Sequence, residues 1–342
     1  MFYLIFFLYL RALNQYQNSA MINSKFITRF VLLSVYLLIS CSREDSPPTV
    51  TTTFHYGLDS IEFVYEPLNH KEIKVYYYIP ESGSMKNMPI LFAFHGADRN
   101  GIYQIDTWKS IADERKIMVF APQFSQPLSE SDRKRFNSNE YQLGGVTTSG
   151  SYYSPVQEDK WTFSVIEELF DHIKEATGSS QATYDMWGHS AGGQWTHRYV
   201  LFKPNARLRM AVVSNSGVFT VPDVLGISDG SAIYSFPYSL KGTTMIDSDV
   251  RRYFTKNMVI HTGMADLATT TQQDPYLSVT AGSKAQGANR NQRSLFFYNY
   301  CRQIAEDKGW EFNWSLVEVP NVGHSSRRMV QTYNVGAADI LY

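Results

Sequence analysis

After residue 55 the chain alternates between two hydrophobic periods. Phe54 to Tyr65 and Ile73 to Ile79 carry alternating or continuous apolar positions, which predicts two strands entering a sheet antiparallel to each other. Pro89 to Phe94 is apolar throughout, as a strand buried on both faces would be. Tyr103 to Lys116 suits a helix, and Ile117 to Pro122 the next strand. Trp161, Val165, Leu169, Phe170 and Ile173 recur at helical spacing and predict a core-facing helix. Ala182 to Trp187 reads as a strand, and Gly193 to Phe202 as a helix that stops at Lys203-Pro204. Arg207 to Phe219 follows as strand plus turn, Asn257 to Thr262 as a strand, and Ser283 to Gly309 as a stretch holding a helix. Trp314 to Pro320 is the last strand, and Arg327 to Tyr342 closes with a helix. Strands and helices alternate without a linker-like gap, so one α/β domain is expected over residues 54–342, its central sheet mostly parallel and flanked by helices. Two stretches break the pattern: 126–159, polar with Gly144-Gly145 and Gly150, and 221–244, irregular with Tyr234, Phe236 and Tyr238. Irregular stretches this long in a compact domain are usually functional.

The first fifty residues follow different rules. Met21 to Arg29 is a basic segment, Phe30 to Ile39 an apolar one, and Leu38-Ile39-Ser40-Cys41 matches the bacterial lipobox, in which the cysteine is acylated and becomes the mature N-terminus. The apolar run falls short of the ~20 residues a spanning helix needs. The expectation is a lipoprotein signal over 21–40, a lipid on Cys41, and a flexible polar tether over 41–53. The alternatives are a short membrane anchor or a Cys41–Cys301 disulfide between the two cysteines of the chain. With Cys41 acylated, Cys301 is unpaired on a helix face and expected to be buried. A signal that starts at Met21 is complete in itself, so residues 1–20 read as a misassigned upstream start; an extra apolar helix is the alternative. The location implied is the bacterial cell envelope, membrane-anchored through Cys41. Glu44-Asp45 just beyond that cysteine resembles a surface-export signal of Bacteroidetes-type lipoproteins, which would place the chain on the outer-membrane surface.

Composition narrows the function classes. At 342 residues and 44% hydrophobic the chain can bury a sizeable core. A net charge of −1 gives no reason to expect a nucleic-acid partner. Aromatic residues make up 15% of the chain, most of them expected in core and strands and some in a groove for a ring-bearing or carbohydrate substrate. No Cys/His cluster has metal-ligand spacing and no glycine loop suits phosphate, so neither metal nor cofactor is implied.

The chemistry concentrates at Gly188-His189-Ser190-Ala191-Gly192. A strand before it and a helix after it make it a nucleophile elbow, a turn sharp enough to strain Ser190 and expose its hydroxyl. A serine hydroxyl needs a general base, and the base an orienting acid. In the fold that uses this elbow the order is Ser, then Asp or Glu, then His. His197 lies two turns along the elbow's own helix and His261 inside an apolar strand, so His324, in the loop after the last strand, is the candidate base. Asp266, in Gly263-Met264-Ala265-Asp266 at the end of the preceding strand, is the candidate acid, with Asp274 and Asp223 as alternatives. The oxyanion donors expected are the backbone N–H of Ala191 and that of Ala97, in the His95-Gly96 turn after strand 89–94, or of Asp98 if that turn is offset by one residue.

Together His95-Gly96 with Arg99-Asn100, Gly188 to Gln194, Gly263 with Asp266, and Val322-Gly323-His324 resemble the α/β-hydrolase superfamily. The nearest likeness is its esterase branch, with polyhydroxyalkanoate depolymerase-like and feruloyl or acetyl-xylan esterase-like members. Ala285 to Arg290 also has the look of bacterial members of this group. The resemblance covers residues 85–335 and implies an α/β-hydrolase fold with insertions capping the pocket. On that basis 126–159 is expected to rim the pocket, with Tyr152 and Tyr153 as walls, and 221–244 to cap it or form a surface flap. The implied activity is a serine esterase that acts on a small-molecule or polysaccharide-linked ester through an acyl-enzyme, without a cofactor. A peptidase or acyltransferase on the same machinery, and an inactive glycan-binding lipoprotein, are the rival readings. The motifs leave acyl and alcohol specificity open.

Overall fold

The computed structural model describes residues 53–342. The signal, lipidation and upstream-start expectations for residues 1–40 and Cys41 lie outside the described residues. β1 (Gly57–Phe63) and β2 (Ile73–Ile79) pair antiparallel, and β2 pairs antiparallel with β4 (Met118–Gln123). From there β3 (Ile90–Phe94), β5 (Tyr184–His189), β6 (Leu208–Ser214), β9 (Met258–Gly263) and β10 (Trp314–Val319) run parallel. The eight strands lie in the order β1-β2-β4-β3-β5-β6-β9-β10. β7 (Ile227–Ser228) and β8 (Ile233–Tyr234) form a separate two-stranded ribbon within the second irregular stretch. A mostly parallel sheet needs cover on both faces, and the side chains of β3 show how it is divided. Phe92 and Phe94 join one apolar cluster with Trp195 and Phe163, while Leu91 and Ala93 point through the sheet into another with Trp108 and Trp187.

Helix α1 (Gly101–Arg115) follows β3, capped by Asn100, whose side chain accepts from the Tyr103 N–H. Short α2 (Ser138–Gln142) interrupts the first irregular stretch with a capping box of Asn137 and Glu140. Helix α3 (Val165–Thr177) buries Val165, Leu169, Phe170 and Ile173, as their spacing predicts. Helix α4 (Ala191–Phe202) leaves the elbow, and α5 (Asp247–Phe254) precedes β9. The stretch 283–309 holds two helices, α6 (Ala281–Gln286) and α7 (Arg290–Lys308), separated at Gly287, whose φ of 147° no helix accommodates. The closing segment also differs from the single helix expected: α8 (Ser326–Gln331) and α9 (Ala337–Leu341) are split by Asn334 at φ 64° and by Gly336, where a Cβ would come within 2.3 Å of the Val330 carbonyl. Cys301 is free and buried on α7, as expected. Among the described residues no helix is long and apolar enough to cross a membrane.

His95, His197 and His261 are held neutral inside this frame. Burial pushes His95 down to about 3, with the Arg99 charge adding to it, and pushes His261 down to about 4. His197 is forced well below its ordinary value by burial and then by neighbouring Arg198. The unfolded chain takes up protons at these imidazoles below pH ~6.5 while the folded chain resists, so stability is full above that pH and falls as pH drops toward the folded values. Urea midpoints are therefore expected to stay level from pH 8 to 7 and to decline between pH 6.5 and 4.5. A midpoint unchanged across the lower interval would contradict neutral buried imidazoles.

Candidate active site

Ser190 sits where β5 ends and α4 begins, at φ 60° and ψ −117°, backbone that a non-glycine residue occupies only under strain. Two glycines make the bend feasible. A Cβ on Gly188 would lie 2.3 Å from the Gly192 carbonyl and 2.3 Å from Thr196 Oγ1, and one on Gly192 would lie 2.3 Å from the Phe94 carbonyl. Strand β3, the elbow and α4 thus touch backbone to backbone, and Trp195 seals the contact by stacking on Phe94 at 4.0 Å. The Ser190 N–H donates to the Ser214 carbonyl at 3.0 Å, which ties the turn to β6.

The ends of β9 and β10 are joined in a similar way. Met264 N–H donates to the Val319 carbonyl and Ala265 N–H to the Val322 carbonyl. Asn215, at φ 45° after β6, accepts from Gly263 N–H at 2.7 Å and donates to the Gly323 carbonyl at 3.1 Å. One amide therefore fixes both turns that carry the candidate acid and base. Between them, His324 Nδ1 donates to Asp266 Oδ2 at 2.7 Å. Ser190 and His324 line one cavity of about 260 Å³, together with Gly96, Ala97, His189 and Tyr276. His197 faces elsewhere: its Nδ1 bonds the Gly193 carbonyl and its Nε2 accepts from Thr220 N–H. His261 is a core residue bonded to Ser214 and the Val335 carbonyl.

One oxyanion candidate lines this cavity and the other follows Ser190 directly in the chain. Ala97 lines it, and Ala191 is the first residue of α4, whose N–H has no intrahelical acceptor and whose N-cap side chain makes no capping bond. Asp98 also lines the cavity, its carboxyl raised by burial. His95 braces the turn from below, with Nδ1 on the Gly96 carbonyl, Nε2 accepting from Phe124 N–H, and the Tyr141 hydroxyl donating to its carbonyl.

Two neighbours were not singled out from the sequence. His189, the second residue of the elbow motif, stacks against His324 with ring centroids 4.5 Å apart and bonds Ser326 Oγ through Nδ1. Burial first, and the His324 charge second, push His189 well below its ordinary value, so it packs against the candidate base without competing for protons. Arg290, at the start of α7, is buried; its Nη1 reaches Asp274 Oδ2 at 2.6 Å and Asp266 Oδ1 at 3.5 Å. Burial pushes the Asp274 carboxyl up, but the Arg290 hydrogen bond and charge outweigh it and hold that group below its ordinary value. Asp274 thus belongs to the cluster through Arg290, whereas Asp223 accepts from the Tyr300 hydroxyl away from it. The signal for Arg290 was its place in the Ala285–Arg290 segment, but nothing in the spacing joins position 290 to 266.

The irregular stretches do not wall the Ser190 cavity. Tyr152 is exposed, and Tyr153 packs on Phe236 and borders a different depression. Asn139, Gln142 and Gly150 of the first stretch, with Pro237 and Tyr238 of the second, line a neighbouring cavity of about 250 Å³. Tyr276 lines both cavities.

Residues 68–218 match the family model described as "Putative esterase". Poly(aspartic acid) hydrolase-1 from Sphingomonas sp. KT-1 is 33% identical, with a TM-score of 0.70 over 80% of this chain and 96% of its own. LpqC, a poly(3-hydroxybutyrate) depolymerase from Bordetella parapertussis, is 26% identical, with a TM-score of 0.72 over 84% of this chain and 91% of its own. The chain belongs to the esterase family of the α/β-hydrolases. It is a carboxylic ester hydrolase of that family. No curated protein sequence matches this family member.

The cluster beneath the esterase's His324 makes a definite demand on stability. Arg290→Met would leave buried Asp266 and partly exposed Asp274 without their cation; a fully buried partner lost costs about 3–5 kcal/mol, and the exposure of Asp274 brings this to about 2–3 kcal/mol. Urea unfolding at pH 7 is expected to show a loss of that size. An unchanged midpoint would mean that Arg290 contributes nothing there.

Proposed function

We propose that the chain hydrolyses carboxylic esters through an acyl-enzyme, with Ser190 as nucleophile, His324 as general base and acid, and Asp266 as the group that orients His324. The observation that carries this reading is the 2.7 Å bond from His324 Nδ1 to Asp266, made beside a cavity that His324 shares with Ser190. With Nδ1 committed to the carboxylate, Nε2 is the nitrogen left to take the serine proton. Ser190 Oγ then adds to the ester carbonyl, and the N–H groups of Ala191 and Ala97 receive the negative oxygen. As the tetrahedral species collapses, His324 returns the proton to the leaving alcohol. Water deprotonated by the same imidazole then releases the acid and frees the serine. Polymer-hydrolysing relatives make a polymeric ester a fitting substrate alongside small ones.

Amide hydrolysis by the same residues is the second reading, favoured by the 33% identity to poly(aspartic acid) hydrolase-1. Parallel rates on 4-nitrophenyl butyrate and on aminoacyl 4-nitroanilides rank the two bonds. We further propose that residues 21–40 are a signal and that Cys41 carries a lipid anchoring the enzyme in the bacterial envelope. Incorporation of radiolabelled palmitate, abolished by Cys41→Ala, is the outcome expected; a label retained in that variant would refute the anchor.

Ser190→Ala is expected to lower kcat on 4-nitrophenyl butyrate by about 10⁴-fold or more and to abolish labelling by a fluorophosphonate probe. Retention of most turnover would overturn the nucleophile assignment. The wild-type rate should rise with pH as the imidazole base loses its proton, and a rate constant from pH 5 to 8 would refute a histidine base.

A further inference from the structure

Helix α4, which opens at the nucleophile, carries a second chemically distinctive residue two turns further on. Arg198 is buried at 1% exposure. Its Nε donates to Thr220 Oγ1 at 2.8 Å, and its Nη1 to the Gln142 and Gln194 carbonyls at 2.9 and 3.2 Å. These acceptors are all neutral, and among the described residues no carboxylate forms an ion pair with it. Burial pushes the guanidinium down to about 9, offset only by Tyr253 and Tyr238, so it remains cationic at neutral pH with its charge uncompensated. A buried charge without a counter-ion is costly and is normally paired.

The surroundings add to the imbalance. Arg293 on α7 likewise has only neutral acceptors, the carbonyls of Gly287, Gly217 and Ser278, and burial pushes it down to about 10. Ser278 and Arg198 both line the 250 Å³ cavity beside the active site, and no acidic residue is among its walls. Gln194, Asn139, Gln142 and Tyr238 supply further polar groups there. The cavity adjoins the Ser190 cavity at Tyr276, which lines both.

We propose that this cavity is a subsite for a carboxylate carried by the substrate, with Arg198 as its counter-ion. The proposal rests on the esterase reading above and adds a substrate class to it: esters with an anionic group at a fixed distance from the scissile bond. Eight residues of helix separate Arg198 from Ser190, a rise of about 12 Å, and helical side chains lean back toward the N-terminus. The carboxylate therefore sits roughly 8–12 Å from the serine, a spacer of about six to nine bonds. Arg198 takes no part in the bond-making steps; it positions the substrate and selects it by charge.

Two substrate series test this. One is the 4-nitrophenyl monoesters of glutarate, adipate and suberate, with the anion on the acyl side. The other is the butyryl esters of 4-hydroxybutyrate, 6-hydroxyhexanoate and 8-hydroxyoctanoate, with the anion on the alcohol side. Each is compared with its carboxamide of equal length. The expected result is a tenfold or larger kcat/KM preference for the anion in one series, greatest at one spacer length, expressed in KM and shrinking with added salt. Arg198→Gln should erase the preference, and Arg198→Lys should restore part of it. The wild-type comparison stands alone if either variant fails to fold. Carboxamide esters cleaved in a Ser190-dependent way, with anions no better in either series, would overturn the subsite and leave the esterase reading intact. Failure to cleave either form, together with no fluorophosphonate labelling, would instead sink the esterase reading on which it rests.

Discussion

Charge balance beneath His324 is the constraint on which the rest of the site depends. Asp266 and Asp274 bring two carboxylates, and Arg290 supplies one guanidinium between them. With a neutral imidazole the group sums to −1; when His324 accepts a proton it sums to zero. Asp266 and Arg290 are buried while Asp274 and His324 keep some exposure, so these charges act on one another with less screening than in open solvent. Asp266, which accepts from His324, is thus one part of a charged cluster of three residues with Arg290 and Asp274. Asn215 adds the mechanical counterpart by pinning both turns, at Gly263 and Gly323, to the end of β6.

The legible part of this molecule was the part governed by local chemistry. β3 could be read because every one of its positions is apolar, and the elbow because Gly188 and Gly192 stand where any Cβ would strike backbone. His324 and Asp266 were found by chain order and by lying just beyond strand ends, which in a parallel sheet is where loops converge. The missing parts all depend on contacts between distant segments. Arg290 reaches Asp266 across 24 positions and Asp274 across 16, and no periodicity reports such a meeting. The stretch 126–159 has the composition of a pocket rim, but only tertiary packing decides which cavity it borders. It lies along the Arg198 cavity, and Tyr153 turns away toward Phe236. The two breaks at Gly287 and Gly336 are set by backbone angles and close approaches that an apolar pattern does not report.

The arginines separate what this chain shares with its family from what is its own. Under the proposed mechanism the elbow, the His324–Asp266 pair and the His95 turn would serve any acyl group. Arg99 stacks over Tyr141 at 4.3 Å and donates to the Phe124 carbonyl, so it braces the loop behind the oxyanion turn. Arg290 bonds Asp266 and Asp274, whereas Arg198 and Arg293 bond neither, and Arg198 lines a cavity that both irregular stretches help to build. The proposed subsite would place selectivity in segments that can vary in length without disturbing the sheet.

The strain at residue 190 has an evolutionary consequence. At φ 60° and ψ −117° a glycine would rest more easily than a serine, so the working residue is retained at a thermodynamic disadvantage to the fold. A lineage freed from selection for turnover would gain robustness by drifting to glycine at that single position. The serine's persistence in a descendant is accordingly a marker of continued use, one that the unstrained residues of the core cannot provide.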